Sequence, residues 1–470
     1  MKVGKRQFYV IMLEILILLG EFLYLDMYSS ALTFIQCSRL GVVILLINMV
    51  LFCKAQRKIV TIQTLFLILF ILFQFGLPIV YAFSPQYYNF YMTLFNETIL
   101  KNAVIYTVLA TQIYIVTATC VIAVQNQTKT KEKVGRLTAT ILSHSRDVEE
   151  AALLLFIITA VVAVPVNLWS AVKAVIAGMA VGNLYRGAMA ANGLTRFFQE
   201  FFFSSALLYL CFSNKKIKKR IVTIIYFVVA LSMVLVADRS GGITALIVFA
   251  LYRFYTGEER KRKKNAITLI AIGLLLAIIS SVIASVRMGD SSKSGITVLF
   301  SVLEEMGFNF TSLCFVMDYI PSRTSYRLGM SYIVALILLI PKTFGLGSVY
   351  PKLQSYLGET WLWNANKQYG RAFLSFGVGF SMIAESYYNF SWLGIIVMIP
   401  IAVIITYFLK EKKVENAWGL YIRLALMLSF FTVPRRQFQS VIKAIEYSVF
   451  FTALYLLIYI AMKKNKKSIT

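Results

Sequence analysis

Histidine is almost missing from this chain. Among 470 residues there is one, His144. Zinc sites built on imidazoles are therefore excluded, and so are histidine-based triads unless His144 itself lies at the site. Cysteine is scarce too: Cys37, Cys53, Cys120, Cys211 and Cys314, with no CxxC pair. Neither a disulfide framework nor a cysteine-rich metal centre is expected, and no metal or other cofactor is implied. Charge is thin, at 14% of residues, against about 25% in soluble domains. Acidic side chains are outnumbered, 21 against 47 lysines and arginines. What is abundant is apolar residue, 59% of the chain. These proportions predict an all-α polytopic membrane protein, a single integral membrane domain over residues 1–470.

A net charge of +26 resembles a nucleic-acid signal until the charges are placed. They cluster at Lys2/Lys5/Arg6, Lys54/Arg57/Lys58, residues 129–146, 215–220, 260–264, Lys410/Lys412/Lys413 and 463–467, between apolar runs. That is the positive-inside distribution, and no nucleic-acid partner is expected. Apolar runs long enough for a 30 Å crossing lie at about 8–25, 31–53, 59–83, 103–125, 150–170, 197–213, 221–237, 241–256, 266–286, 391–409, 416–433 and 440–461. The first reads as a signal anchor, since no cleavage site follows it. About twelve spans put both termini and every basic cluster on the cytoplasmic side. One large extracytoplasmic loop, 287–390, is left over. Its apolar pieces, 331–340 and 296–317, are short or interrupted by Glu304 and Glu305, and read as interfacial or re-entrant helices. If 331–346 crosses, a second crossing must accompany it, and about fourteen spans is the alternative. No internal repeat is visible, which counts against a transporter built from two related halves.

On this topology several arginines stand at the outer ends of spans, against the usual bias: Arg186, Arg196, Arg239, Arg287, Arg371, Arg435 and Arg436. Arg239 is the sharpest. It sits in Ala237-Asp-Arg-Ser-Gly-Gly242, a short turn before an apolar run. Free amides of Ser240 and Gly241 at a helix start, beside a guanidinium, suit a diphosphate. The alternative is that Asp238 pairs with Arg239 and the others are solvated. Arg323 and Arg327, mid-loop, read as solvated charges. Inside the membrane, Glu14 and Glu21 share one face of the first helix, and a Glu21–Arg39 pair is expected. The loop is rich in aromatics, Trp361, Trp363, Tyr387 and Tyr388 among them. These fit sugar stacking and interfacial anchoring equally.

Three stretches carry a resemblance: the Arg-Ser-Gly-Gly turn at 239–242, a Tyr332-to-Lys342 stretch ending Ile-Pro-Lys, and G-x-G-x-S-x-x-A-E-x-Y-x-N-F over 377–390. Together with the topology they resemble the Wzy-type oligosaccharide repeat-unit polymerases of bacterial O-antigen and capsule synthesis. The paired Arg-x10-Gly motifs of some members are absent: eleven residues after Arg186 is Phe197, and after Arg239 is Ala250. The resemblance implies a metal-independent membrane glycosyltransferase of the bacterial cytoplasmic membrane. It would transfer a growing glycan from undecaprenyl diphosphate onto a fresh lipid-linked unit at the outer face. A chain-length regulator and a flippase of the same pathway are the protein partners it implies, besides the bilayer. His144 falls on the cytoplasmic side, so an external carboxylate is the remaining candidate base, and Glu385 fits best. Arg239, Arg287 and Arg371 are expected to stabilise the leaving diphosphate, with Arg435, Arg436 and Arg186 behind them. Ser240, Gly241, Tyr387, Tyr388, Asn389, Trp361 and Trp363 are expected to contact substrate. Glu385 could instead head the following helix or pair with an arginine. Alternative functions are a lipid-linked oligosaccharide flippase, an O-antigen-ligase-like transferase, or a membrane scaffold.

Overall fold

A computed structural model of the chain describes residues 4–28, 31–56, 61–87, 93–125, 145–176, 193–235, 239–256, 296–338, 349–368, 379–409 and 417–469. Among the described residues the regular structure is helical, without a strand. Seven helices among the described residues are long and apolar enough to cross a membrane: Lys5–Tyr24, Phe34–Gln56, Ile62–Phe83, Glu97–Gln125, Val148–Lys173, Met382–Phe408 and Ala417–Arg435. Shorter apolar helices cover Phe201–Phe212, Gly241–Thr256 and Val449–Ile460. The expected span at 266–286 lies outside the described residues.

The described residues fall into two compact units. The first holds residues 1–130, 299–411 and 433–443. Its long helices are α1 (Lys5–Tyr28), α2 (Phe34–Gln56), α3 (Ile62–Phe83) and α4 (Glu97–Gln125). The first helix shows why this packing suits a bilayer. Gln7, Glu14 and Glu21, spaced by seven, are all buried, while Phe8, Leu13, Leu16 and Leu23 are exposed. Polar side chains face the protein and apolar ones face outward, the reverse of a soluble helix. Thr61 caps α3 by accepting from the Thr64 amide at 3.0 Å. The expected Glu21–Arg39 pair does not form. Arg39 instead donates its Nε–H to the Ala82 carbonyl at 2.9 Å, an orphan acceptor at the end of α3 that needs a donor.

Contacts fix which ends of these helices lie together. Glu97, at the start of α4, accepts from the Phe34 amide at the start of α2. At the opposite end Gln63 of α3 donates to the Thr406 carbonyl. The end that carries Tyr28, Phe34, Phe83 and Glu97 is therefore opposite to Lys5, Arg6 and Lys54. The second unit holds residues 131–298, 412–432 and 444–470. It contains α5 (Ser145–Ile176), α6 (Gly193–Phe212), α7 (Lys216–Leu235) and α8 (Arg239–Thr256). An aromatic core of Phe203, Tyr226, Phe227 and Phe249 joins α6, α7 and α8.

The segment expected as loop contains short helices: α9 (Ile296–Gly307), α10 (Phe310–Tyr319), α11 (Met330–Ile337), α12 (Tyr350–Gln354) and α13 (Gly358–Gln368). The piece expected as one helix at 296–317 is two. Phe95, just ahead of α4, packs edge-on against Phe315 of α10 at 4.8 Å. This sets α10 at the end of the first unit that is opposite the N-terminal lysines. Next come α14 (Met382–Phe390), a 3-10 segment (Ser391–Val397) and α15 (Met398–Phe408). Helical structure thus begins at Met382 rather than at 391. The remaining elements are α16 (Ala417–Phe430), a 3-10 turn (Val433–Arg435) and α17 (Gln439–Ile469).

Candidate functional site

The sequence GFSMIAESYYNF forms the centre of the first unit's candidate site, and each motif residue has a physical role. Gly379 takes φ +74°, a left-handed turn that disfavours side chains. Ser381 is the N-cap of α14, accepting from the Ala384 amide at 3.0 Å. Ser391, at φ 56°, then ends the helix and turns the chain into the 3-10 segment.

Glu385 is 0% exposed. Its Oε1 accepts from the Ser331 hydroxyl at 2.6 Å, and its Oε2 accepts from the Phe438 amide at 2.5 Å. Asn389, one turn on, closes the network. It donates to the Ser331 Oγ and to the Glu385 carbonyl, each at 2.8 Å, and accepts from the Gly329 amide at 3.0 Å. The carboxylate therefore holds two separate segments against α14. One is the start of α11, immediately after Arg327. The other is the turn that carries Arg435 and Arg436. A buried carboxylate needs such donors, because burying it unpaired costs several kcal/mol. Glu385 lies in the first turn of α14, so the helix start also favours its negative charge.

The remaining motif side chains pack around this network. Ser386 shares a 2.7 Å hydrogen bond with Tyr106, in the third turn of α4. Tyr387 stands edge-on to Tyr106 at 5.2 Å and to Trp392 at 6.4 Å. Phe390 stacks on Tyr332. Tyr388 is fully buried but its hydroxyl accepts from Arg327 Nε at 3.0 Å. The Arg327 guanidinium carbon lies 5.9 Å from the ring centroids of both Tyr356 and Tyr388. Its backbone amide donates to the Tyr388 carbonyl. Arg327 is thus half-buried and held in one orientation, and its two terminal amino groups donate to no protein group among the described residues. The reading of Arg327 as a solvated loop charge is corrected by these contacts. The signal that could have found it is local: Tyr326-Arg-Leu-Gly329, an aromatic and a glycine bracketing a cation ahead of a helix.

Arg435 and Arg436 are exposed. Their turn is held by Asn309, which donates to the Arg435 carbonyl at 2.9 Å, by Gln74 of α3, which donates to the Pro434 carbonyl, and by Glu385 through Phe438. The Arg436 side chain has no partner among the described residues. The structure therefore brings Glu385, Tyr387, Tyr388, Asn389, Arg435 and Arg436 together and adds Arg327.

Trp361 is buried against Tyr388 at 4.8 Å and Tyr319 at 6.2 Å, which makes it a packing residue with no face open to a sugar. Trp363 is half-exposed, with Lys367 Nζ over its ring at 4.9 Å. Arg239 and Ser240 open α8 in the second unit, as expected for a helix start. Gly242 does not leave room there for a ligand: a Cβ would meet the Ala230 carbonyl of α7 at 2.5 Å, so it serves close helix packing. Gly241 is half-buried on the same turn. Arg186, Arg287 and Arg371 lie outside the described residues. Among the described residues no group of three His, Cys, Asp or Glu side chains could hold a metal ion.

The arrangement can bind an anion. An oriented guanidinium between two tyrosines and exposed arginines on a pinned turn suit phosphate oxygens, while the surrounding rings suit a sugar face. Comparison with curated proteins and with solved structures returned no match. The family model described as O-antigen polysaccharide polymerase Wzy matches residues 8–467, nearly the whole length. The chain, a helical multi-pass membrane protein, belongs to the Wzy family of O-antigen polysaccharide polymerases.

Proposed function

We propose that this polymerase joins undecaprenyl-diphosphate-linked repeat units at the outer face of the bacterial cytoplasmic membrane, with Arg327, Arg435 and Arg436 as its anion-binding set. The terminal hydroxyl oxygen of a new lipid-linked unit attacks the anomeric carbon at the reducing end of the growing glycan. The bond from that carbon to the diphosphate oxygen breaks, and the lipid diphosphate leaves. The hydroxyl proton passes to the departing diphosphate or to water. Lipid diphosphate is already a good leaving group, so the main demand is stabilisation of the charge that develops on it, which fixed guanidinium groups supply. Glu385 is a positioning residue in this scheme. Both of its oxygens are engaged and it is sealed from solvent, which suits a clamp better than a base.

One observation carries the reading. A single carboxylate is hydrogen-bonded to both arginine-bearing segments, through Ser331 on one side and Phe438 on the other. The outer face is favoured because these segments pack at the end of the first unit opposite Lys5, Arg6 and Lys54, and basic residues mark the cytoplasmic side.

Deleting the gene tests the activity. A lost polymerase leaves single repeat units exported and displayed at the surface, with the ladder of longer chains gone. If the units accumulate instead on lipid at the cytoplasmic face, the chain is moving them rather than joining them, and the proposal fails.

A further inference from the structure

The buried stripe on α1 is not used by the site described above. Glu14 is 0% and Glu21 6% exposed. Glu14 Oε1 accepts from the Thr119 hydroxyl of α4 at 3.1 Å. That bond fixes the register of two antiparallel helices. Seven residues is close to two turns, so Glu21 and Gln112 lie on the same faces, opposite each other, about 10 Å further along. Gln112 is 0% exposed and neither its amide oxygen nor its amide nitrogen has a protein partner. The same holds for Glu14 Oε2, Glu21 Oε2, Thr111 Oγ1 and, from α2, Asn48 Oδ1. Five buried oxygens along this part of the molecule are thus without a donor.

The charges nearby do not supply one. Neither glutamate is paired with a lysine or arginine among the described residues. On α2, Arg39 donates to the Ala82 carbonyl, and Lys54 lies in the last turn. On α4, Glu97 accepts from Phe34, Lys101 lies in the second turn, and the Cys120 thiol follows Thr119. Two carboxyl groups in a membrane interior without a countercharge require a positive ligand, and intramembrane carboxylates mark ion or proton sites. The two are too far apart to share one ion. Each position offers one carboxylate, whose single negative charge a monovalent cation balances.

We propose that the seam between α1 and α4 is a cation-binding site, with a monovalent ion, proton or alkali metal, held at Glu14 and at Glu21. The inference stands apart from the polymerase reading and adds a binding function to it.

The test is thermal unfolding of the purified full-length chain in lipid nanodiscs, with Glu14→Gln, Glu21→Gln and the double variant beside it. Glutamine keeps the shape of a neutral carboxyl but cannot bind a cation by charge. If sodium replaces choline at constant ionic strength and raises the wild-type melting temperature saturably, while the double variant is indifferent, the occupant is an alkali ion. If the wild type ignores sodium but loses stability as pH is raised, and the double variant loses less, the occupant is a proton. The sign follows from burial: removing the proton leaves an unpaired anion in the folded state. If the wild type and the variants share the same sodium and pH dependences, the seam is only hydrated and the proposal is overturned. Each single variant should lose about half of the dependence, which keeps the test decisive if the double variant does not fold.

Discussion

Arg327 and Glu385 divide the labour of the candidate site between contact and support, and their variants should behave differently. Arg327 is aimed by one hydrogen bond and two rings, so lysine cannot reproduce it: a compact ammonium neither stacks as a plane nor presents a fork. Arg327→Lys is expected to lower polymer yield nearly as far as Arg327→Ala, with the protein still present in the membrane. Equal yields of wild type and Arg327→Lys, measured on surface-polysaccharide gels at matched expression, would refute a geometric role. Glu385→Ala should act through folding. It leaves the Ser331 hydroxyl and the Phe438 amide without their buried acceptor, a loss of about 1–3 kcal/mol for each unsatisfied group. Glu385→Gln keeps one acceptor and should retain more folded protein than Glu385→Ala, as read by unfolding in detergent. Were glutamine fully inactive in a protein as stable as wild type, the carboxylate would be acting chemically rather than as a clamp.

At the scale of elements, α14 depends on its ends. Ser381→Ala removes the cap bond to the Ala384 amide and should cost about 1 kcal/mol. Hydrogen exchange at the start of α14 is the measurement, and unchanged protection there would contradict the assignment of the cap. Much at this scale was legible in the sequence, because apolar run length and basic clusters bound helices directly. The helices α1 to α4 fall where their runs predict. Three things were not legible. The start of α14 hides inside a mixed polar and apolar stretch whose polar residues are buried by partners far along the chain, Ser331 and Phe438. The Glu21–Arg39 pair fails because a carbonyl at the end of α3 competes for the guanidinium, and single-chain spacing does not show that carbonyl. Arg327 reads as solvated because its tyrosines come from two other segments, around 356 and 388.

At the scale of the whole molecule, the family match and the run of apolar helices agree on a multi-pass polymerase. The sidedness proposed from the basic clusters is testable with single cysteines. A cysteine at Ser355 should react with an impermeant reagent from outside intact cells, and one at Lys131 should not. Labelling of position 131 from outside would invert the topology. The central claim is narrower: glycan joining depends on arginines held by the Glu385 network. Its most direct measurement is polymerisation by the purified protein in nanodiscs, supplied with lipid-diphosphate-linked repeat units, with product length read by mass. Arg327→Ala combined with Arg436→Ala should leave the substrate as single units while the protein unfolds at the wild-type temperature. Chains of wild-type length from that double variant would contradict the account.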